Sequence, residues 1–105
     1  MELNHLEQKA PQASTLLKAM SNQSRLLILC QLIEGEKSVG QLERIVGLSQ
    51  SALSQHLARL RRDKLVKTRR EAQTIYYSLH GDQALCVIKT LYALYCQSTN
   101  EAAAA

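Results

Sequence analysis

Apolar residues recur along this chain at helical spacing up to about residue 62, then alternate, then return to helical spacing. Ala13, Leu16, Leu17 and Met20 predict a first helix over 12–20, with Pro11 suited to its first turn. Leu26, Leu29, Cys30 and Ile33 fall at i, i+3, i+4 and i+7 and predict a second helix over 25–33, capped by Ser21 or Asn22 and stopped at Gly35. On that reading the Cys30 sulfur points with the aliphatics toward a core, as a small hydrophobe. Ser38 and Gln41 have the spacing of a capping box and open a short third helix ending at Gly47. Ser49 can cap a fourth helix whose narrow apolar stripe is Leu53, Leu57 and Leu60.

After Asp63, Val66 and Thr68, then Ile75, Tyr77 and Leu79, alternate with polar neighbours and predict two strands joined by a loop near 70–73. Asp82 is placed to cap a last helix over 83–97. Its apolar residues, among them Ala84, Leu85, Val87, Ile88, Leu91, Tyr92, Leu94 and Tyr95, surround most of the circumference. Such a helix needs cover on two sides. One side is its own domain, and the other is most simply a second subunit, shared with the first helix. The expected homodimer contacts are Leu16, Leu17, Met20, Ile88, Leu91, Tyr92 and Tyr95.

Four helices, two strands and a helix is the order of a winged helix-turn-helix, a mainly α fold with a β-hairpin wing. The 105 residues support a single domain over 1–105, with an ordered core of about 12–97 and a tail at 98–105 that ends in EAAAA. With no Trp, no Phe and only 4 Tyr, the core is aliphatic, and a small aliphatic core gains burial by pairing with a second copy. The start, MELNHLEQ, lacks a basic leader, and no apolar run reaches the roughly 18 residues of a membrane span. A cytoplasmic protein without membrane contact is expected, with its 3 cysteines ordinarily reduced.

The net charge of +4 is a weak hint of a polyanionic partner, but its distribution is sharper. Seven of the 13 basic residues lie between Arg59 and Arg70, with Asp63 the only acid among them. Opposite the Leu53/Leu57/Leu60 stripe, the fourth helix carries Ser51, Ser54, Gln55, Ala58, Arg59 and Arg62. Short hydroxyls and amides suit base edges, and arginines suit phosphates or guanine. The DNA-contacting set is therefore expected to be Gln50, Ser51, Ser54, Gln55, Arg59 and Arg62, joined at the wing by Arg69, Arg70 and Gln73. His56 lies at the edge of the buried stripe, where packing or an orienting hydrogen bond suits it better than base reading.

The segments LLKAMSNQSRLLIL, SVGQLERIVGLSQSALSQHLARLRRDKLV and REAQTIYYSL resemble the ArsR/SmtB winged-helix repressors. The Ser-x-Leu-Ser-x-His-Leu element of that family's recognition helix is matched by Ser51, Leu53, Ser54, His56 and Leu57. The resemblance implies a homodimeric repressor that binds a palindromic operator in double-stranded DNA and releases it on meeting an inducer, with dimer contacts through the first and last helices. The family's metal sites are missing. The third helix has no thiol for a Cys-x-Cys element, and the last helix has no His after Asp82. His5, His56 and His80 are isolated, and the cysteines have no CxxC spacing, so no cofactor or metal is expected, although chain-distant ligands stay open.

Cys86 and Cys96, on one helix, are separated by about 15 Å of rise, too far to pair within a subunit. Cys30 can reach either only if the second helix packs on the last. The persulfide-responsive dithiol branch of the family, the BigR type with its relative HlyU, is similar at ILCQL and LYCQ. That resemblance implies that Cys30 and Cys96 are a redox-sensing pair, bridged by persulfide or another reactive sulfur species with loss of operator affinity. Cys86 has no counterpart in the pattern. Alternatives are a metal-independent activator or anti-repressor of the same fold, or a general oxidant-sensing or metal-sensing repressor. An enzyme is not expected, since no thiol-redox motif, nucleophilic triad or phosphate loop is visible.

Overall fold

The computed structural model describes residues 1–97; the expected tail at 98–105 lies outside the described residues. Along the chain come α1 (Leu3–Met20), α2 (Gln23–Ile33), β1 (Lys37–Ser38), α3 (Val39–Val46), α4 (Gln50–Arg62), β2 (Val66–Glu71), β3 (Thr74–Leu79) and α5 (Gln83–Tyr92). A π-helical turn, Ala93–Gln97, continues α5. This is the expected winged helix-turn-helix, with a third strand added. The two residues of β1 carry no readable period, yet they pair antiparallel with β3, Lys37 opposite Tyr77 and Ser38 opposite Tyr76.

Local chemistry sets most boundaries. Asn22 accepts from the Arg25 amide at 3.1 Å and caps α2. Ser38 and Gln41 form the full capping box of α3, with bonds of 3.1 and 2.8 Å, and Gly47 closes that helix at φ 73°. Ser49 caps α4 through the Ala52 amide. One boundary and one cap differ from expectation. The first helix begins at Leu3, with Pro11 inside it. A proline costs one backbone donor, and the stripe Leu6, Ala10, Ala13, Leu17 runs through it uninterrupted. Asp82 holds the N-cap position of α5 without a side-chain cap bond.

The core joins Ile28, Leu29 and Leu32 of α2 to Leu42 of α3 and to Leu53, Leu57 and Leu60 of α4, closed by Ala19, Met20, Leu65, Val66 and Ala84. Cys30 is therefore not a core residue. It is exposed, because α2 turns its Ile28/Leu29/Leu32 face inward. Arg25 lies on that same side of α2, and each nitrogen of its guanidinium has a partner. Nε donates to the Ala19 carbonyl at 2.6 Å, Nη2 to the Lys18 carbonyl at 3.3 Å, and Nη1 lies 3.3 Å from His56 Nδ1. One side chain thus ties the end of α1 to α4, and His56 takes the orienting role expected of it. Burial first, then the nearby Arg59, lowers the Arg25 pKa, with Asp63 opposing.

α4 ends in a Schellman motif. The Leu65 amide donates to the Leu60 carbonyl at 2.9 Å and the Lys64 amide to the Arg61 carbonyl at 3.0 Å. Lys64 therefore sits at φ 60°, where an L side chain is strained and glycine is not. Lys64→Gly is expected to raise stability by about 0.5–1 kcal/mol, since relief of strain exceeds the added unfolded-state entropy. A urea midpoint that rises at unchanged slope is the check, and a fall would show that the lysine stem is needed.

β2 and β3 pair in register from Val66 opposite Leu79 to Glu71 opposite Thr74. Only Ala72 and Gln73 are left to turn the chain, with Ala72 at φ 56°, so Arg70 and Glu71 belong to the strand rather than to a loop. On α5 only Ala84 is fully buried. Leu17, Tyr92, Leu94 and Tyr95 are all more than half exposed. Met20, expected at a subunit interface, is instead inside the protomer's own core, and Leu16 and Ile88 pack against that core.

Candidate nucleic-acid interface and thiol site

Leu53, Leu57 and Leu60 fix α4 to the core, which leaves Gln50, Ser51, Ser54, Gln55, Ala58, Arg61 and Arg62 facing solvent. An open cleft between α4 and the hairpin is lined by Gln50, Ser54, Arg61, Arg62, Gln73 and Thr74, and it is floored by Leu57, Ile75 and Tyr77. Amides and hydroxyls at one end and two guanidinium groups further along suit base edges beside phosphates. The cleft thus gathers Gln50, Ser54, Arg62 and Gln73 from the sequence reading. Ser51 and Gln55 lie on the same exposed arc outside it. Arg61 joins the cleft although the sequence reading does not place it there. Its position two turns after Ser54 and one after Leu57 is the signal that points to it.

Two expected contacts are already engaged. Arg59 Nε donates to Asp63 Oδ2 at 3.1 Å, toward the Arg25/His56 side of the helix. Arg62 approaches the other oxygen of Asp63 only at 3.9 Å, with its side chain 70% exposed. On the wing, Arg69 donates twice to Glu36 at 2.7 Å and once to Glu71 at 2.9 Å, with its guanidinium 4.5 Å above the Tyr76 ring. These bonds raise the Arg69 pKa far above its usual value and hold the Glu36 carboxylate below its own. Arg69 therefore braces the sheet to the loop after α2. Arg70, its neighbour on the opposite face of β2, is exposed.

Cys30, Cys86 and Cys96 are all exposed free thiols. Partial burial pushes the Cys30 thiol up. Ile33, one turn beyond Cys30, lines a groove with Leu85, Ile88, Lys89 and Tyr92 of α5 and with Gln97, the residue after Cys96. α2 and the end of α5 therefore meet on one surface. Among the described residues, no three His, Cys, Asp or Glu side chains converge to hold a metal ion. No described helix is long and apolar enough to cross a membrane.

Residues 22–68 match the bacterial regulatory protein, arsR family. The chain is 53% identical over 98 residues to the transcriptional activator HlyU of Vibrio cholerae, spanning 93% of this chain and 91% of that protein. It is 38% identical over 102 residues to the biofilm growth-associated repressor of Xylella fastidiosa, spanning 97% and 90%. The structure of reduced HlyU from Vibrio cholerae superposes with a TM-score of 0.81 at 53% identity, covering 88% of this chain and 97% of that one. The repressor BigR from Xylella fastidiosa superposes with a TM-score of 0.88 at 40% identity, covering 91% and 98%. These relatives are named as transcriptional regulators, one an activator and one a repressor. With its fold, its exposed recognition helix and these likenesses, the chain belongs to the ArsR family of bacterial transcriptional regulators.

Proposed function

We propose that this regulator is a homodimeric repressor of a palindromic operator, released when a persulfide joins Cys30 to Cys96. The observation that carries the reading is the shared groove: Ile33, one turn after Cys30, and Gln97, next to Cys96, face the same space, and both thiols are exposed. A second copy would cover the exposed Leu17 of α1 and Leu94 of α5, apolar surface that a lone protomer leaves in water.

The chemistry balances without a metal or cofactor. The Cys96 thiolate attacks the outer sulfur of an organic persulfide, forms a persulfide on Cys96 and releases the organic thiol. The Cys30 sulfur then attacks the Cys96 sulfur, forms the Cys30–Cys96 bond and expels the outer sulfur as hydrogen sulfide. The dithiol loses two electrons and the sulfane sulfur is reduced to sulfide. Because burial pushes the Cys30 thiol up, Cys30 is the poorer first nucleophile and is assigned the resolving role. Bridging α2 to the end of α5 would shift the α5 face on which the second subunit rests, and with it the spacing of the two recognition helices.

Reduced protein treated with glutathione persulfide is expected to lose two hydrogens by intact mass, to yield a Cys30–Cys96 cross-linked peptide, and to lose operator affinity by about fivefold or more. Cys30→Ser and Cys96→Ser each keep full affinity under that treatment, and Cys86→Ser responds like the parent. A response retained in both of the first two variants would overturn the scheme. An activator that displaces another repressor is a second reading, favoured by the 53% identity to a protein named as an activator. The same operator-binding titration, run with transcription from the operator, separates the two by the sign of the output.

A further inference from the structure

Resting on the sulfur-sensing reading, we infer that the groove between α2 and the end of α5 is the binding site for the persulfide itself, and that Lys89 selects an anionic one. Ile33, Leu85, Ile88 and Tyr92 give it apolar and aromatic walls, Gln97 an amide at its end, and Lys89 its only charge among the described residues. No described acid lines the groove, and among the described residues Lys89 makes no salt bridge. A cation on an apolar wall, with neither a carboxylate partner nor a metal cluster, is complementary to an organic anion with a nonpolar stem.

The placement relative to the thiols gives the site its purpose. Lys89 lies two turns before Cys96 on the same helix, and Ile33 lies one turn after Cys30 on the facing helix. A ligand whose carboxylate meets Lys89 and whose stem lies along Ile33 and Tyr92 occupies the space that Ile33, one turn after Cys30, and Gln97, the residue after Cys96, both line. A carboxylate-bearing organic persulfide has this form. Inorganic polysulfide lacks the stem, and an amine-bearing persulfide carries the wrong charge. The groove therefore ranks sulfur donors by charge and stem before any bond is made, a selection that thiol chemistry alone does not provide.

The test measures the rate of Cys30–Cys96 closure in the full-length protein with three donors: glutathione persulfide, the ammonium-bearing cysteamine persulfide, and inorganic disulfide. The parent is expected to react about threefold to tenfold faster with the glutathione donor than with the cysteamine donor at low salt, as an exposed charge pair near water allows. Lys89→Ala removes the preference, Lys89→Glu inverts it, and raised salt compresses the parent's ratio. Lys89 is exposed, so these variants are expected to keep the parent's circular dichroism and operator binding in the reduced state. Unchanged donor ratios in both variants, with bridging intact, overturn the site while leaving the sulfur-sensing reading standing. A parent protein that none of the three donors bridges removes that reading and the site together.

Discussion

Leu57→Ala is expected to lower unfolding free energy by about 3–4 kcal/mol, a large part of the roughly 5–15 kcal/mol that holds a domain of this kind. Leu57 is 1% exposed, packed among Leu53, Leu60 and the α2 and α3 leucines, and it also floors the cleft between α4 and the wing. Truncation there removes apolar burial and leaves a cavity that a core built without Phe or Trp is slow to refill, since small aliphatic neighbours reach less far. α4 is held by three leucines, so operator binding falls along with stability. Urea unfolding followed by circular dichroism gives the free energy. A loss under about 1 kcal/mol would mean that α4 is anchored elsewhere. The exposed Ile45→Ala, which removes a similar volume from the surface, is the control and is expected to change little.

Much of this fold is written in local signals: the Ser38/Gln41 capping box, the Ser49 cap, Gly47 and the change of period after Asp63 all fall where the structure has them. The departures have a common origin, in that a residue's local preference is outweighed by what surrounds it. Arg25 makes the Ile28/Leu29/Leu32 side of α2 read as polar, so the Leu26/Leu29/Cys30/Ile33 stripe looks like the inner one. In the fold the guanidinium is satisfied by the last carbonyls of α1 and by His56, and the side bearing Arg25 turns inward. Pro11 reads as a beginning because its cost to a helix is local, whereas the stripe that carries α1 through it is long. The Arg69 partner Glu36 is distant in sequence, and no pattern of spacing announces such a pair. The cleft itself is legible as a helix face plus a basic hairpin. Which arginines it gathers depends on the turn of α4 against the core.

That distinction sets the second large effect, on DNA rather than on folding. Arg61 and Arg62 stand at the cleft with little to hold them, Arg62 facing Asp63 only at 3.9 Å, whereas Arg69 spends its donors on Glu36 and Glu71. Phosphate contacts release counterions, so each lost contact lowers the slope of log affinity against log salt by about 0.9. The Arg61→Ala/Arg62→Ala double variant is expected to bind operator about 30- to 100-fold more weakly near 0.1 M salt, and to lose about two slope units per protomer. The loss should be nearly the same on nonspecific DNA, because phosphates carry no sequence. Arg69→Ala, by contrast, should leave the salt slope within about half a unit of the parent's and act chiefly by loosening the brace between the wing and the loop after α2. Gln50→Ala and Ser54→Ala complete the comparison, since a lost base-edge contact lowers affinity for the operator far more than for nonspecific DNA. Fluorescence-anisotropy titrations across a salt series with operator and scrambled duplexes separate these cases. If Arg69→Ala loses the slope and the Arg61/Arg62 pair does not, the wing rather than the end of α4 carries the phosphate contacts, and the cleft must be reassigned to base reading alone.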